Sequence, residues 1–185
     1  GVTLDTDSNV LDGAITTIPL SPARAWQGHT PGEQAVGSPA IRQMGLHSQD
    51  GGWALLGERL MATTDGGESW QEITPADPGE AAMLGAQMLD QQRGWVVQQG
   101  AALDELEVLR TTDGGASWSA SSLALSPSQW DGTPVLEASL DFIDAKRGWL
   151  ALRLQSGSSF SLGRLFATLD GGVSWEERSL PAAGT

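Results

Sequence analysis

Carboxylates are the groups with which this sequence could do chemistry. It carries 23 Asp and Glu against 10 Lys and Arg in 185 residues, a formal net charge of −13, with no Cys, no Tyr and only two His, His29 and His47. Without a thiolate there is no disulfide framework and no Cys-based zinc site, and two His far apart in sequence do not make a histidine metal centre. What remains is Asp and Glu, paired as acid and base for glycosidic hydrolysis or gathered around a hard cation. Asp5, Asp7 and Asn9 alternate as in a calcium loop, but that pattern asks for Gly at its sixth position and Glu at its twelfth, where Val10 and Thr16 stand. The opening therefore reads as a solvated acidic terminus. No metal, cofactor or catalytic set is assigned.

Three carboxylates recur in identical company. "TTDGGESW" at 63–70, "TTDGGASW" at 111–118 and "TLDGGVSW" at 168–175 put Asp65, Asp113 and Asp170 at intervals of 48 and 57 residues. An Asp in a tight connection accepts hydrogen bonds from N–H groups just downstream, while Gly67, Gly115 and Gly172 supply the positive φ such a turn needs. A carboxylate committed to backbone donors has a depressed pKa and makes a poor general acid. These three are thus read as turn-builders, with Trp70, Trp118 and Trp175 as the apolar anchors of the strand that follows.

A second element lies upstream of each turn: "GGW" at 51–53, "RGW" at 93–95 and "RGW" at 147–149, each preceded by a short apolar run. Every unit then reads as four strands. In the second unit they fall at about "AQML", "GWVVQQ", "EVLRTT" and "SWSASS"; in the third, at about "ASLDFI", "GWLALRL", "RLFATL" and "SWEERSL". A repeat of this length with four strands predicts an all-β fold of β-propeller blades. We place three blades at about 38–76, 80–124 and 134–181. Segment 1–37, which holds neither shared element, is expected to supply extra strands or a degenerate blade. Trp53, Trp95 and Trp149 join the three turn Trp as expected core.

The pattern Ser/Thr-x-Asp-x-Gly-x-Ser/Thr-Trp, complete in all three copies, resembles the Asp-box, or bacterial neuraminidase repeat, over about residues 38–180. With "RGWVVQQG" and "LRTTDGGASW" in register, the chain looks most like the photosystem II assembly and stability factor family. That resemblance implies a propeller that scaffolds assembly instead of catalysing a reaction. Partner contact in that family is associated with an Arg-rich patch; here Arg93 and Arg147 recur before Gly-Trp, but Gly51 takes that place in the first unit. Sialidases share the repeat but need a Tyr nucleophile, and this sequence has no Tyr. The alternative is a fragment of a polysaccharide-active glycoside hydrolase of the same propeller type, although no acidic residue falls in a motif that assigns it to catalysis.

An acidic chain with a single Lys, Lys146, does not suit a nucleic-acid backbone or an anionic membrane surface. No apolar run approaches the roughly 18–20 residues of a membrane span. The compartment is not fixed by these residues, though related propellers are often exported.

Where the repeats differ is where binding is expected. From the Gly-Trp indole to the turn Asp the distance grows from 12 to 18 to 21 residues, through insertions between the second and third strands. In a four-stranded meander those insertions share a rim with the links between blades, and loops on a rigid scaffold are the usual place for contact. The candidate rim comprises Trp130, Asp131, Asp104, Glu105, Glu107 and Phe160, an acidic and partly aromatic surface for a protein partner or a carbohydrate. Propellers close with about four to eight blades, so three are too few. Closure then requires a longer chain, a blade built from 1–37, or a homodimer in which two chains form a three-plus-three ring.

Overall fold

The computed structural model describes residues 39–75, 81–100, 105–125, 133–155 and 162–179. The expectation for segment 1–37, and candidate rim residues Trp130, Asp131, Asp104 and Phe160, lie outside these described residues. Every regular element among the described residues is a strand. Blade 1 contains β1 (Ile41–Leu46), β2 (Gly52–Leu56), β3 (Arg59–Thr63) and β4 (Gln71–Glu72). Blade 2 contains β5 (Met83–Met88), β6 (Gly94–Gln99), β7 (Glu105–Thr111) and β8 (Ser119–Ala124). Blade 3 contains β9 (Val135–Phe142), β10 (Gly148–Leu154), β11 (Leu162–Thr168) and β12 (Glu176–Arg178). Each set forms one four-stranded antiparallel sheet in simple meander order.

The registers are equivalent. Gly52 pairs with Leu46 and Thr63, Gly94 with Met88 and Thr111, and Gly148 with Phe142 and Thr168. Because a one-residue slip would turn every side chain to the opposite face, this shared register fixes which face of each sheet a residue occupies. The first strands form the inner edge, with β5 lying between β1 and β9. The turn Trp residues, expected inside the fourth strands, sit just before them: β8 begins at Ser119 and β12 at Glu176.

Blade 2 is sandwiched, and its sequence shows why it can be. In β6, Trp95 and Val97 face blade 3, where they join Leu140, Phe142, Leu150 and Leu152 in one core cluster. Val96 faces the other way and joins Trp53, Leu55, Leu60 and Ile73 of blade 1 in a second. Both faces of β6 are therefore buried, whereas β10 alternates strictly between buried and exposed residues. The continuous run "GWVV" against the alternation of "GWLALRL" records the same difference.

At the inner edge β5 and β9 approach so closely that a Cβ on Gly85 would lie 1.9 Å from the carbonyl oxygen of Ala138. No other residue fits there. Gln43 of β1 uses that proximity: its amide donates to the Ala138 carbonyl at 2.8 Å and accepts from the Ala86 N–H at 2.9 Å, linking all three blades.

Leu150 is fully buried between blades 2 and 3, while Leu169 is 70% exposed. Leu150→Ala is expected to cost about 2–5 kcal/mol of unfolding free energy and Leu169→Ala less than about 0.5, as read from urea denaturation midpoints of the two variants.

Candidate functional site

The three Asp-Gly-Gly turns are built the same way from the same atoms. The Thr63 hydroxyl donates to Asp65 Oδ1 at 2.8 Å and accepts from the Gly67 N–H at 3.0 Å. The Ser69 N–H donates to the same Oδ1 at 2.9 Å, and its hydroxyl to Oδ2 at 2.5 Å. Thr111, Asp113, Gly115 and Ser117 repeat the arrangement, as do Thr168, Asp170, Gly172 and Ser174. The Ser69 hydroxyl, then its N–H and the Thr63 hydroxyl, hold Asp65 down at about 2. Ser174 does the same for Asp170, also about 2, and Ser117 lowers Asp113. All three carboxylates are charged, fully engaged acceptors at neutral pH, with no proton to give.

A second set of Asp turns joins the first and second strands of blades 2 and 3. Asp90 Oδ1 accepts from the N–H groups of Gln92 and Arg93, and its Oδ2 from the Arg93 guanidinium at 2.7 Å. Asp144 holds Lys146 and Arg147 identically. Burial raises the Asp90 pKa, but the Arg93 side chain and the two N–H groups outweigh it, so it is lowered overall; Asp144 is lowered chiefly by the N–H groups of Lys146 and Arg147. The recurrent arginines are thus tied into their own turns. The signal was in the sequence, as an Asp three residues before each Arg-Gly-Trp. In blade 1, Ser48 takes the place of Asp90 and caps the Gly51 N–H. The two kinds of turn meet through Gly66, Gly114 and Gly171, whose N–H groups donate to the carbonyls of Asp50, Gln92 and Lys146.

Blade junctions are assembled on these turns. The Trp95 indole N–H, buried, donates at 2.8 Å to the carbonyl of Gly171 in the next blade's turn. Its ring stacks on Phe142 with centroids 3.6 Å apart and planes 5° from parallel, and Phe142 meets Trp175 edge-on at 6.0 Å. Gly172, at φ +88°, lies between the two indoles, with room for a Cβ only at 3.3 Å from Trp95 and 3.4 Å from Trp175. At the inner edge the Gln87 side-chain oxygen accepts from the Phe142 N–H at 2.8 Å. Arg42, bonded to Glu58, reaches across the other junction to the Met83 carbonyl at 2.6 Å.

Each indole therefore serves the junction on its own side, and the end blades differ. Trp53 and Trp95 are buried at 8% and 1%, but Trp149 is 58% exposed and Trp70 46%. This corrects the expectation that all six are core: the Gly-Trp indole faces the following blade and the turn indole the preceding one, so Trp149 and Trp70 face sides that no described blade covers. Trp118 and Trp175 pack as partly buried members of the two clusters. A groove of about 430 Å³ follows Trp149, lined by Asp141, Ile143, Arg147, Leu169 and Arg178 among others.

Of the expected rim residues, the described ones are Glu105 and Glu107 on β7, where Glu107 accepts from the Gln98 amide at 2.9 Å. No three His, Cys, Asp or Glu gather around a common point among the described residues.

Three meander sheets arranged around a shared inner edge define a β-propeller. The fold is similar to that of a solved chain described as YCF48 bound to D1 peptide, with a TM-score of 0.50 and 22% identity. That match covers 76% of this chain and 39% of that one, so the chain spans about two fifths of the length of its relative. YCF48 from Cyanidioschyzon merolae matches at a TM-score of 0.43 and 22% identity, over 72% of this chain and 35% of that one. No protein-family model matches the sequence. No curated protein does either.

Two predictions concern the turns. Gly66 has φ +73° with open space around a would-be Cβ, whereas at Gly115 the Cβ would fall 2.6 Å from Ile73 Cβ. Gly66→Ala is expected to cost about 1–2 kcal/mol from backbone strain alone, and Gly115→Ala about 1–3 kcal/mol more from overpacking, both measured by chemical denaturation. The second follows from linkage. Asp65 and Asp170 are lowered from 3.8 to about 2 on folding, so between those values the unfolded chain binds more protons. Their contribution is complete above about pH 4 and disappears as the pH falls to about 2. Denaturation midpoints followed over that range should drop with acid, and Asp65→Asn with Asp170→Asn should flatten the slope.

Proposed function

We propose that the chain is a non-enzymatic propeller scaffold, built on Asp-box repeats, which binds a protein partner through the rim that carries its variable loops. The observation that carries this reading is the commitment of the recurrent carboxylates. Asp65, Asp113 and Asp170 spend both oxygens on their own turns, and Asp90 and Asp144 on theirs. The repeat is therefore support, and recognition falls to what the repeat leaves free.

The Asp-Gly-Gly turn and the turn between the first and second strands occupy one end of each sheet, so the connections between second and third strands leave from the other. In blade 1 that connection is Gly57 and Glu58 alone, while in blades 2 and 3 it extends over 100–104 and 155–161. Elongation at one end, on sheets that otherwise keep one register, supports a binding rim. The propeller described with a bound D1 peptide supports a protein as the partner. Trp130 with Asp131 is proposed as the anchor, Glu105, Glu107, Asp104 and Phe160 as its surroundings; a large aromatic with few rotamers is the usual centre of such a contact.

A displayed random-peptide library panned against the whole chain tests the reading. Enriched peptides should lose at least about tenfold in affinity for the Trp130→Ala, Asp131→Ala double variant. Peptides that bind both proteins equally, or no enrichment at all, would remove the rim from consideration.

A further inference from the structure

Among the described residues each end blade has one face that no other blade covers, and the contacts such a face can make are visible at the junction of blades 2 and 3. On blade 1, Ile41, Met44 and Leu46 are 62%, 71% and 81% exposed. The register places them where blade 2 has Met83, Ala86 and Met88, buried at 1%, 3% and 4%. On blade 3, Trp149 occupies the place of Trp53 and Trp95, and Ile143 stands where Leu89 packs into the junction of blades 2 and 3. The polar group at the inner edge is present too: Asp141 pairs with Trp149 in register just as Gln87 pairs with Trp95.

We infer that the Trp149 face of blade 3 is a docking surface for the Leu46 face of blade 1 in a second copy of this chain. The contacts that Trp95 and Gln87 make with blade 3 each have a counterpart in these two faces. Leu46 lies over the Trp149 ring as Phe142 lies over Trp95. The Trp149 indole N–H donates to the Gly66 carbonyl, the counterpart of the Gly171 carbonyl that takes the Trp95 N–H. Asp141 accepts the Leu46 N–H as Gln87 accepts that of Phe142, and a carboxylate makes this the stronger bond. Burial of Ile41, Met44, Leu46, Ile143 and Trp149 removes a run of exposed apolar surface of the kind that marks an interaction site.

The contact is head to tail. It closes a two-chain ring if two copies complete the circle, and otherwise propagates into larger assemblies. In either case one face comes from each copy, which sets the test.

Analytical ultracentrifugation of the whole chain should show concentration-dependent association. Leu46→Glu and Trp149→Arg, both at exposed positions, should each abolish it while leaving the far-ultraviolet circular dichroism unchanged. The decisive sample is their equimolar mixture. The Leu46→Glu protein keeps its Trp149 face and the Trp149→Arg protein keeps its Leu46 face, so the mixture retains one sound junction and should give a one-to-one pair of twice the monomer mass. A wild-type chain that stays monomeric up to its solubility limit, single variants that associate as the wild type does, or a mixture that stays monomeric would each overturn the inference. Peptide binding at the opposite rim uses neither face, so its presence or absence is read separately.

Discussion

The junction of blades 2 and 3 is organised by one bond: the buried indole N–H of Trp95 on the carbonyl of Gly171. For that carbonyl to point at a neighbouring sheet, the turn must hold two successive glycines at positive φ, +79° and +88°. For the turn to keep that shape, its inward N–H groups must be satisfied from within, since an unpaired buried amide costs about 1–3 kcal/mol. Asp170 with Thr168 and Ser174 does this. The carboxylate is thus a fixed support for a backbone acceptor that faces outward. Its charge is kept because every donor around it favours the ionised form.

Conflicting demands on the inner edge are met by side chains instead of by a ladder. As edge strands, β5 and β9 leave alternate N–H groups without a sheet partner, and edge strands left open invite pairing with other chains. Here Gln43 and Gln87 of the preceding blades accept the N–H groups of Ala86 and Phe142. Glutamine suits the task because its amide both accepts and donates, and Gln43 uses both functions at once. Gly85 makes the approach possible, so a missing side chain on one blade and a long one on another act as a pair.

Much of this was legible in sequence because the repeat is a local device. The turn motif is a consecutive stretch whose hydrogen bonds span four residues or fewer, and the Gly-Trp element fixes the register beside it, so strand number and order could be read directly. Strand ends could not: β12 runs only from Glu176 to Arg178, although "SWEERSL" reads as a longer strand, and its pairing stops at Leu165 although β11 itself starts at Leu162. The fate of individual tryptophans was equally hidden. Trp95 and Trp149 have the same local sequence, "RGW", and one is 1% exposed and the other 58%. Burial there is decided by whether another blade follows, which no window of residues contains. The glutamines at the inner edge left no motif at all, since only the topology brings Gln43 to Ala138, 95 residues away.

The same reasoning explains why blade 3 has the composition it does. If its outer face were an ordinary solvent face, β10 should alternate between apolar and polar residues along its whole length. It does so at one end, where Arg153 pairs with Glu137 at 2.9 Å, but at the other the outward positions are Ala151 and Trp149. An exposed indole beside Ile143 and Leu169 is costly to leave in water. The Arg153 end needs no cover, and the Trp149 end sets Trp149, Ile143 and Asp141 in the places that Trp95, Leu89 and Gln87 hold on blade 2. A face that is half solvated and half socket is what a junction centred on one indole requires, because the indole, its acceptor and the stacked side chain supply the contact while the rest of the sheet need only avoid a clash.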